Sequence, residues 1–86
     1  MIFRLKNKEY QGTTAIEVVR QMQRDETDFS AEEGISIQQF VDRSLKKLGD
    51  RLPPRELAIS PRLDDETQAH GYLSLRHDYG IGELIE

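Results

Sequence analysis

The stretch ISIQQFVDRSLKKLG, residues 35–49, carries the start, the buried face and the end of one helix. Ser36 and Gln39 have the spacing of a capping box, in which each side chain bonds the backbone N–H of the other residue. Two lysines near position 46 suit the negative end of a helix, and Gly49 suits a left-handed cap. Apolar side chains hold one face throughout: Ile37, Phe40, Val41, Leu45 and Leu48. The pattern predicts a helix at about 37–48.

A second helix is predicted upstream of this stretch. Thr14 and Glu17 repeat the capping-box spacing. Apolar residues then recur at helical spacing: Ala15, Val18, Val19 and Met22. We expect a helix at about 15–26, with this stripe facing the core.

The N-terminal residues predict a β-hairpin. Residues 2–5 and 9–11 alternate as half-buried strands do, and the residues between them suit a tight turn. A two-residue loop at 7–8 would place Leu5 opposite Tyr10 on an apolar face. Two strands alone are marginal in water, so a helix is expected to cover that face.

The C-terminal half leaves alternatives open. Prolines at 53–54 predict an extended connector. Residues 56–59 suit either a short strand that joins the hairpin or a turn. An acidic opening turn predicts a helix at about 65–78. Gly71 costs that helix about 1 kcal/mol relative to Ala, and alternation at 72–77 makes a strand the rival prediction.

These elements predict a small α+β domain spanning residues 1–86. Its N-terminal two-stranded antiparallel hairpin is covered by about three amphipathic helices, in the order β-β-α-α-(β)-α. A chain of 86 residues has room for one core.

Composition excludes several classes of protein. The chain has no cysteine, which excludes disulfide frameworks, thiol nucleophiles and cysteine-based metal centres. Small secreted domains usually need such staples, so we expect a cytoplasmic protein. Cations at positions 4, 6 and 8 do not suit a signal peptide, and no apolar run approaches the roughly 20 residues that span a bilayer.

Charge is unevenly distributed along the chain. The formal net charge is −4, which argues against attraction of the whole surface to nucleic acid or anionic lipid. Half of the twelve cations nevertheless fall between residues 43 and 62: Arg43, Lys46, Lys47, Arg51, Arg55 and Arg62. The C-terminal quarter adds an apolar tail that docks on the core or on a partner. We take those six cations together with Tyr79, Ile81 and Leu84 as the candidate partner-binding residues.

Catalytic and metal chemistry have weaker support. Glu66 and His70 are four residues apart on a predicted helix, which places a carboxylate and an imidazole on one face as weak candidate metal ligands. No HExxH or EF-hand pattern completes such a site. Ser74 lies near both histidines, but no nucleophile-elbow motif surrounds it. We therefore assign no catalytic residue, no metal and no cofactor.

The sequence favours a small non-enzymatic accessory or adaptor protein that acts by binding another protein. A homodimer is compatible with this interpretation. The first alternative is a nucleic-acid-associated regulator that uses the basic segment 43–62, although no aromatic residue is interleaved there to stack a base. The second is a small metal-dependent enzyme.

Overall fold

The computed structural model describes residues 1–25, 35–52 and 62–86. In chain order, the elements are β1 (Ile2–Leu5), β2 (Lys8–Gln11), α1 (Ala15–Asp25), α2 (Ile37–Lys47), a 3₁₀ turn (Gly49–Arg51), α3 (Asp65–Asp78) and β3 (Glu83–Ile85). The predicted α+β class, the N-terminal hairpin and all three helices are confirmed. Residues 72–77 are helical, so the rival strand prediction is wrong. The connector at 53–54 and the segment 56–59 lie outside the described residues.

The strands form one antiparallel sheet in the order β2-β1-β3. The C-terminal tail supplies the third strand, and its Leu84 lies opposite Phe3. On the other side of β1, Phe3 pairs with Tyr10, and Leu5 pairs with Lys8. The tail therefore completes the sheet of its own domain.

The hairpin register differs from the prediction by two residues, because the loop lies one position earlier in the chain. The loop is formed by Lys6 and Asn7, not by residues 7–8, so Phe3 rather than Leu5 lies opposite Tyr10. This register places two aromatic side chains together on the covered face, where both are buried. Cross-strand aromatic pairs of this kind stabilise a sheet more than a Leu–Tyr pair at a partly exposed edge.

The three helices of the described ranges contribute to one core, which is closed by Phe3 and Tyr10 from the sheet. The buried helical residues include the two predicted stripes: Ala15, Val18, Val19 and Met22 on α1, and Ile37, Phe40, Val41 and Leu45 on α2. From α3, the ring of Tyr72 meets that of Phe40 edge-on, with centroids 5.9 Å apart.

Within residues 1–25, 35–52 and 62–86, no helix is both long and apolar enough to cross a membrane.

The predicted caps are largely present. The Ser36 hydroxyl accepts from the backbone N–H of Gln39 at 3.1 Å, and the Gln39 side chain accepts from that of Ser36 at 3.0 Å. At α1, the Thr14 hydroxyl accepts from the N–H of Glu17 at 3.2 Å. The carboxylate of Glu17 bonds mainly to Thr13, and accepts from its backbone N–H at 2.7 Å. The left-handed cap predicted at Gly49 is wrong, because the chain continues there into the 3₁₀ turn.

Two carboxylates that cap helices, Glu17 at α1 and Asp64 at α3, make the stability of the fold depend on pH. The backbone N–H of Thr13 holds the pKa of Glu17 below its usual value. The backbone N–H of Thr67, which donates to the α3 cap Asp64 at 2.7 Å, lowers the pKa of Asp64 in the same way. Because the folded pKa values are depressed, the caps stabilise the fold above the unfolded-state pKa. That contribution is lost as pH falls through the folded pKa.

We therefore expect the free energy of unfolding, measured by urea titration, to decline from about pH 5 downward. A variant carrying Glu17→Gln and Asp64→Asn should show a smaller decline. Asp65→Asn removes an exposed carboxylate from the same turn and keeps both caps, so it should retain the wild-type decline. An identical pH profile in the double variant would contradict this assignment.

The end of α3 is fixed by a Schellman motif and a buried arginine. Gly80 has φ 71°, and the N–H of Ile81 donates to the carbonyl of Arg76 at 2.8 Å. The Arg76 side chain is 8% exposed and donates to the carbonyl of Ile81 at 3.1 Å and to the hydroxyl of Tyr72 at 2.8 Å. Its guanidinium also lies over the ring of Phe3, 5.5 Å from the centroid. These contacts direct the chain from α3 into β3.

Candidate protein-binding surface

The solvent-facing side of α2 presents three of the predicted cations. Arg43, Lys46 and Lys47 are exposed, whereas the apolar stripe of the same helix is buried. Helical periodicity explains this separation, since positions three and four residues apart share a face. We call these three residues, together with Arg51 in the 3₁₀ turn, the α2 basic face.

The members of the α2 basic face differ in their contacts within the chain. Arg43 and Lys47 interact with other groups of the same chain. Lys46 and Arg51 are exposed, and within the described ranges neither side chain makes a hydrogen bond or an ion pair. Their charges are consequently available to a partner.

The two remaining predicted cations fall elsewhere. Arg62 is exposed just before α3 and interacts with another group of this chain. Arg55 lies outside the described residues. The described part of the basic segment is therefore the α2 basic face, with Arg62 at a separate point of the chain.

The predicted apolar anchors occupy three different environments. Ile81 is 8% exposed and belongs to the core. Leu84 is a half-buried residue of β3 that packs against the core. Tyr79 is 38% exposed at the end of α3, where it is one of two exposed large apolar side chains among the described residues. Of the three, only Tyr79 presents substantial apolar surface to solvent.

Glu66, considered above as a metal ligand, closes the start of α1. Its two carboxylate oxygens accept from the backbone N–H groups of Ala15 at 2.9 Å and Ile16 at 3.1 Å. These are N–H groups at the first turn of a helix, which have no partner inside the helix. The carboxylate also meets the positive end of the helix dipole. The sequence signal at Thr14 and Glu17 located the helix start but did not point to a carboxylate some fifty residues away.

His70 lies between Ser74 and Glu86. Its Nε2 contacts the Glu86 carboxylate, and its Nδ1 lies 3.5 Å from the Ser74 hydroxyl oxygen. The order hydroxyl, imidazole, carboxylate is that of a nucleophile with its base, but acyl transfer also needs donors for an oxyanion. The backbone N–H of Ser74 is committed within α3 and cannot serve. This arrangement fastens the end of β3 to α3.

No group of three or more metal-ligating side chains occurs in the part of the chain that the structure describes. The described portion also contains a cleft that the sequence did not predict, with a volume of about 430 Å³, between β2 and the second half of α1. Its lining is of mixed charge: Lys8, Glu9, Tyr10, Gln21, Arg24 and Asp25. Two of these residues form an ion pair, with the Lys8 ammonium 3.4 Å from the Asp25 carboxylate. Comparison with protein-family models, curated proteins and solved structures finds no significant match to this chain.

Proposed function

We propose that this chain is a small non-enzymatic adaptor that binds an acidic protein surface through the α2 basic face. The observation that carries the proposal is the pair Lys46 and Arg51, which are exposed and without a polar partner among the described residues. Exposed cations of this kind raise the association rate with a negatively charged partner and orient it.

The charge distribution favours a protein over nucleic acid as the partner. The net charge is −4, so most of the surface repels a polyanion while the α2 basic face attracts a local acidic patch. The apolar core residues of α2 point inward, and no aromatic side chain stands among the four cations to stack on a base. A reducing compartment such as the cytoplasm fits a chain without cysteine.

Charge reversal tests the proposal. Lys46→Glu with Arg51→Glu should weaken binding of the partner about tenfold or more at low salt, because four units of charge change at the contact. The matched control is Lys6→Glu with Arg24→Glu. Like the test pair, it reverses one exposed cation in a turn and one in the last turn of a helix.

In the first measurement, each variant is immobilised and exposed to a cell lysate at low salt. Quantitative mass spectrometry then identifies the proteins that each variant retains. The proposal expects a protein that the wild type and the control retain and that the charge-reversed variant loses. Fluorescence anisotropy then compares an Asp/Glu-rich peptide with a 20-base-pair DNA duplex. Tighter duplex binding, with affinity that falls linearly on a log–log salt plot, would favour the nucleic-acid alternative. Equal retention of every protein by the charge-reversed variant would refute the role of the α2 basic face.

A further inference from the structure

The outer edge of β2 exposes two residues whose backbone groups point away from β1. The N–H of Gly12 donates to the carbonyl of Met1 at 3.1 Å, and the Met1 amino group donates to the carbonyl of Gly12 at 3.0 Å. Backbone direction alternates along a strand in an antiparallel pair. Tyr10 and Gly12 therefore bond toward β1, whereas Glu9 and Gln11 point outward.

Gln21 of α1 occupies the outward side of Gln11. Its Oε1 accepts from the backbone N–H of Gln11 at 3.4 Å, and its Nε2 donates to the carbonyl of the same residue. An added antiparallel strand would make this same pair of bonds to Gln11, one as acceptor and one as donor. The primary amide of Gln21 thus stands where the backbone of a neighbouring strand would stand.

The opposite edge of the sheet has a comparable cover. Leu84 is the β3 residue whose backbone points away from β1, and its N–H donates to Nδ1 of His77 at 3.0 Å. Side chains from two different helices therefore satisfy outward backbone groups at both edges. Natural sheets use such covers to prevent edge-to-edge pairing.

A second copy of this chain fits the β2 edge once it is uncovered. A two-fold axis at Tyr10 would place Glu9 of each copy opposite Gln11 of the other. The outward N–H and C=O groups of these residues would then face those of the second copy. This register sets no like charges directly opposite. Within one strand, the Gln11 amide already donates to the Glu9 carboxylate at 2.8 Å, so the same groups are able to pair across the axis.

We propose that the outer edge of β2 is a latent self-association surface and that the Gln21 side chain keeps it closed. The occupant is a second copy of this chain, which would add its own β2 antiparallel and make one continuous sheet across the dimer. Because the interface would be isologous, it would close at two copies.

The test replaces the amide and retains the length of the side chain. Gln21→Met removes both bonds to Gln11, and we expect the dimerisation constant to rise about tenfold or more, since each lost neutral bond opposes pairing by about 1 kcal/mol. Gln38→Met is the matched control, because Gln38 is a half-exposed glutamine on α2, whereas the side chains that cover the sheet edges come from α1 and α3. Sedimentation equilibrium over a hundredfold range of concentration measures the constant, and circular dichroism checks the fold.

Two further measurements make the result decisive. In the wild type, the backbone N–H of Gln11 should exchange its hydrogen with solvent more slowly than the outward-facing backbone N–H of Glu9. Equal exchange rates would overturn the proposal without any variant. Adding Glu9→Pro to Gln21→Met removes an outward N–H that an edge strand can spare, and should return the protein to a monomer. A Gln21→Met protein that associates no more than Gln38→Met, or a dimer that survives Glu9→Pro, would also overturn it.

Discussion

Gly82→Ala should lower the free energy of unfolding by about 3–5 kcal/mol, since overpacking costs 1–3 kcal/mol and backbone strain a similar amount. Gly82 has φ 144°, a conformation that residues with a side chain rarely adopt. A β-carbon at this position would lie 2.3 Å from the Cζ atom of Phe3. Phe3 is fully buried and is the central residue of the sheet, so its ring can move only if other buried groups move with it.

This loss is large relative to the total free energy of unfolding of the domain. A domain of 86 residues has a stability of about 4–13 kcal/mol. We expect a drop in the thermal midpoint of roughly 15–30 °C, measured by circular dichroism and by urea titration. Gly80→Ala is the control, because Gly80 has φ 71° but an added β-carbon would meet nothing within 4 Å. It should cost about 1–2 kcal/mol from backbone strain alone. Equal losses at the two glycines would contradict the proposed clash with Phe3.

The two glycines differ in whether their structural role can be predicted from the neighbouring residues in the sequence. Gly80 follows the apolar periodicity of α3 and was predictable as its stop, because left-handed glycine is the usual end of a helix. Gly82 lies in a tail of ordinary composition. Its necessity arises from Phe3, which is almost eighty positions away in the chain and is brought beneath it only when β3 pairs with β1. No pattern within a window of the sequence contains that contact.

The same distinction applies to the candidate site. The exposed cations of α2 follow from its 3.6-residue period, which separates Arg43, Lys46 and Lys47 from the buried apolar stripe. The environment of Ile81 was harder to predict, because Ile81 is as apolar as an interface anchor but belongs to the core. The cover at Gln21 is also nonlocal, since a glutamine in a helix gives no sign that it will bond a strand edge.

Glu66→Ala is expected to lower the free energy of unfolding by about 2–3 kcal/mol, a value between that of an ordinary helix cap and that of two charge-assisted bonds. The substitution leaves the N–H groups of Ala15 and Ile16 without the carboxylate that now accepts from both. It also removes a negative charge from the positive end of α1. Because Glu66 is only half-buried, water recovers part of the loss, and this keeps the estimate below the sum of two buried bonds.

Two companion variants separate capping from other roles of this carboxylate. Glu66→Gln keeps one good acceptor and should lose about half as much stability, since an amide supplies a single oxygen. Asp65→Ala removes the adjacent, exposed acid and should cost no more than about 0.5 kcal/mol, the scale of a surface helix-dipole interaction. If Glu66 instead served as a metal ligand, added Mn²⁺ or Zn²⁺ would raise the thermal midpoint of the wild type but not that of Glu66→Gln. The cap predicts no such rise, because both carboxylate oxygens already accept hydrogen bonds from the backbone of α1.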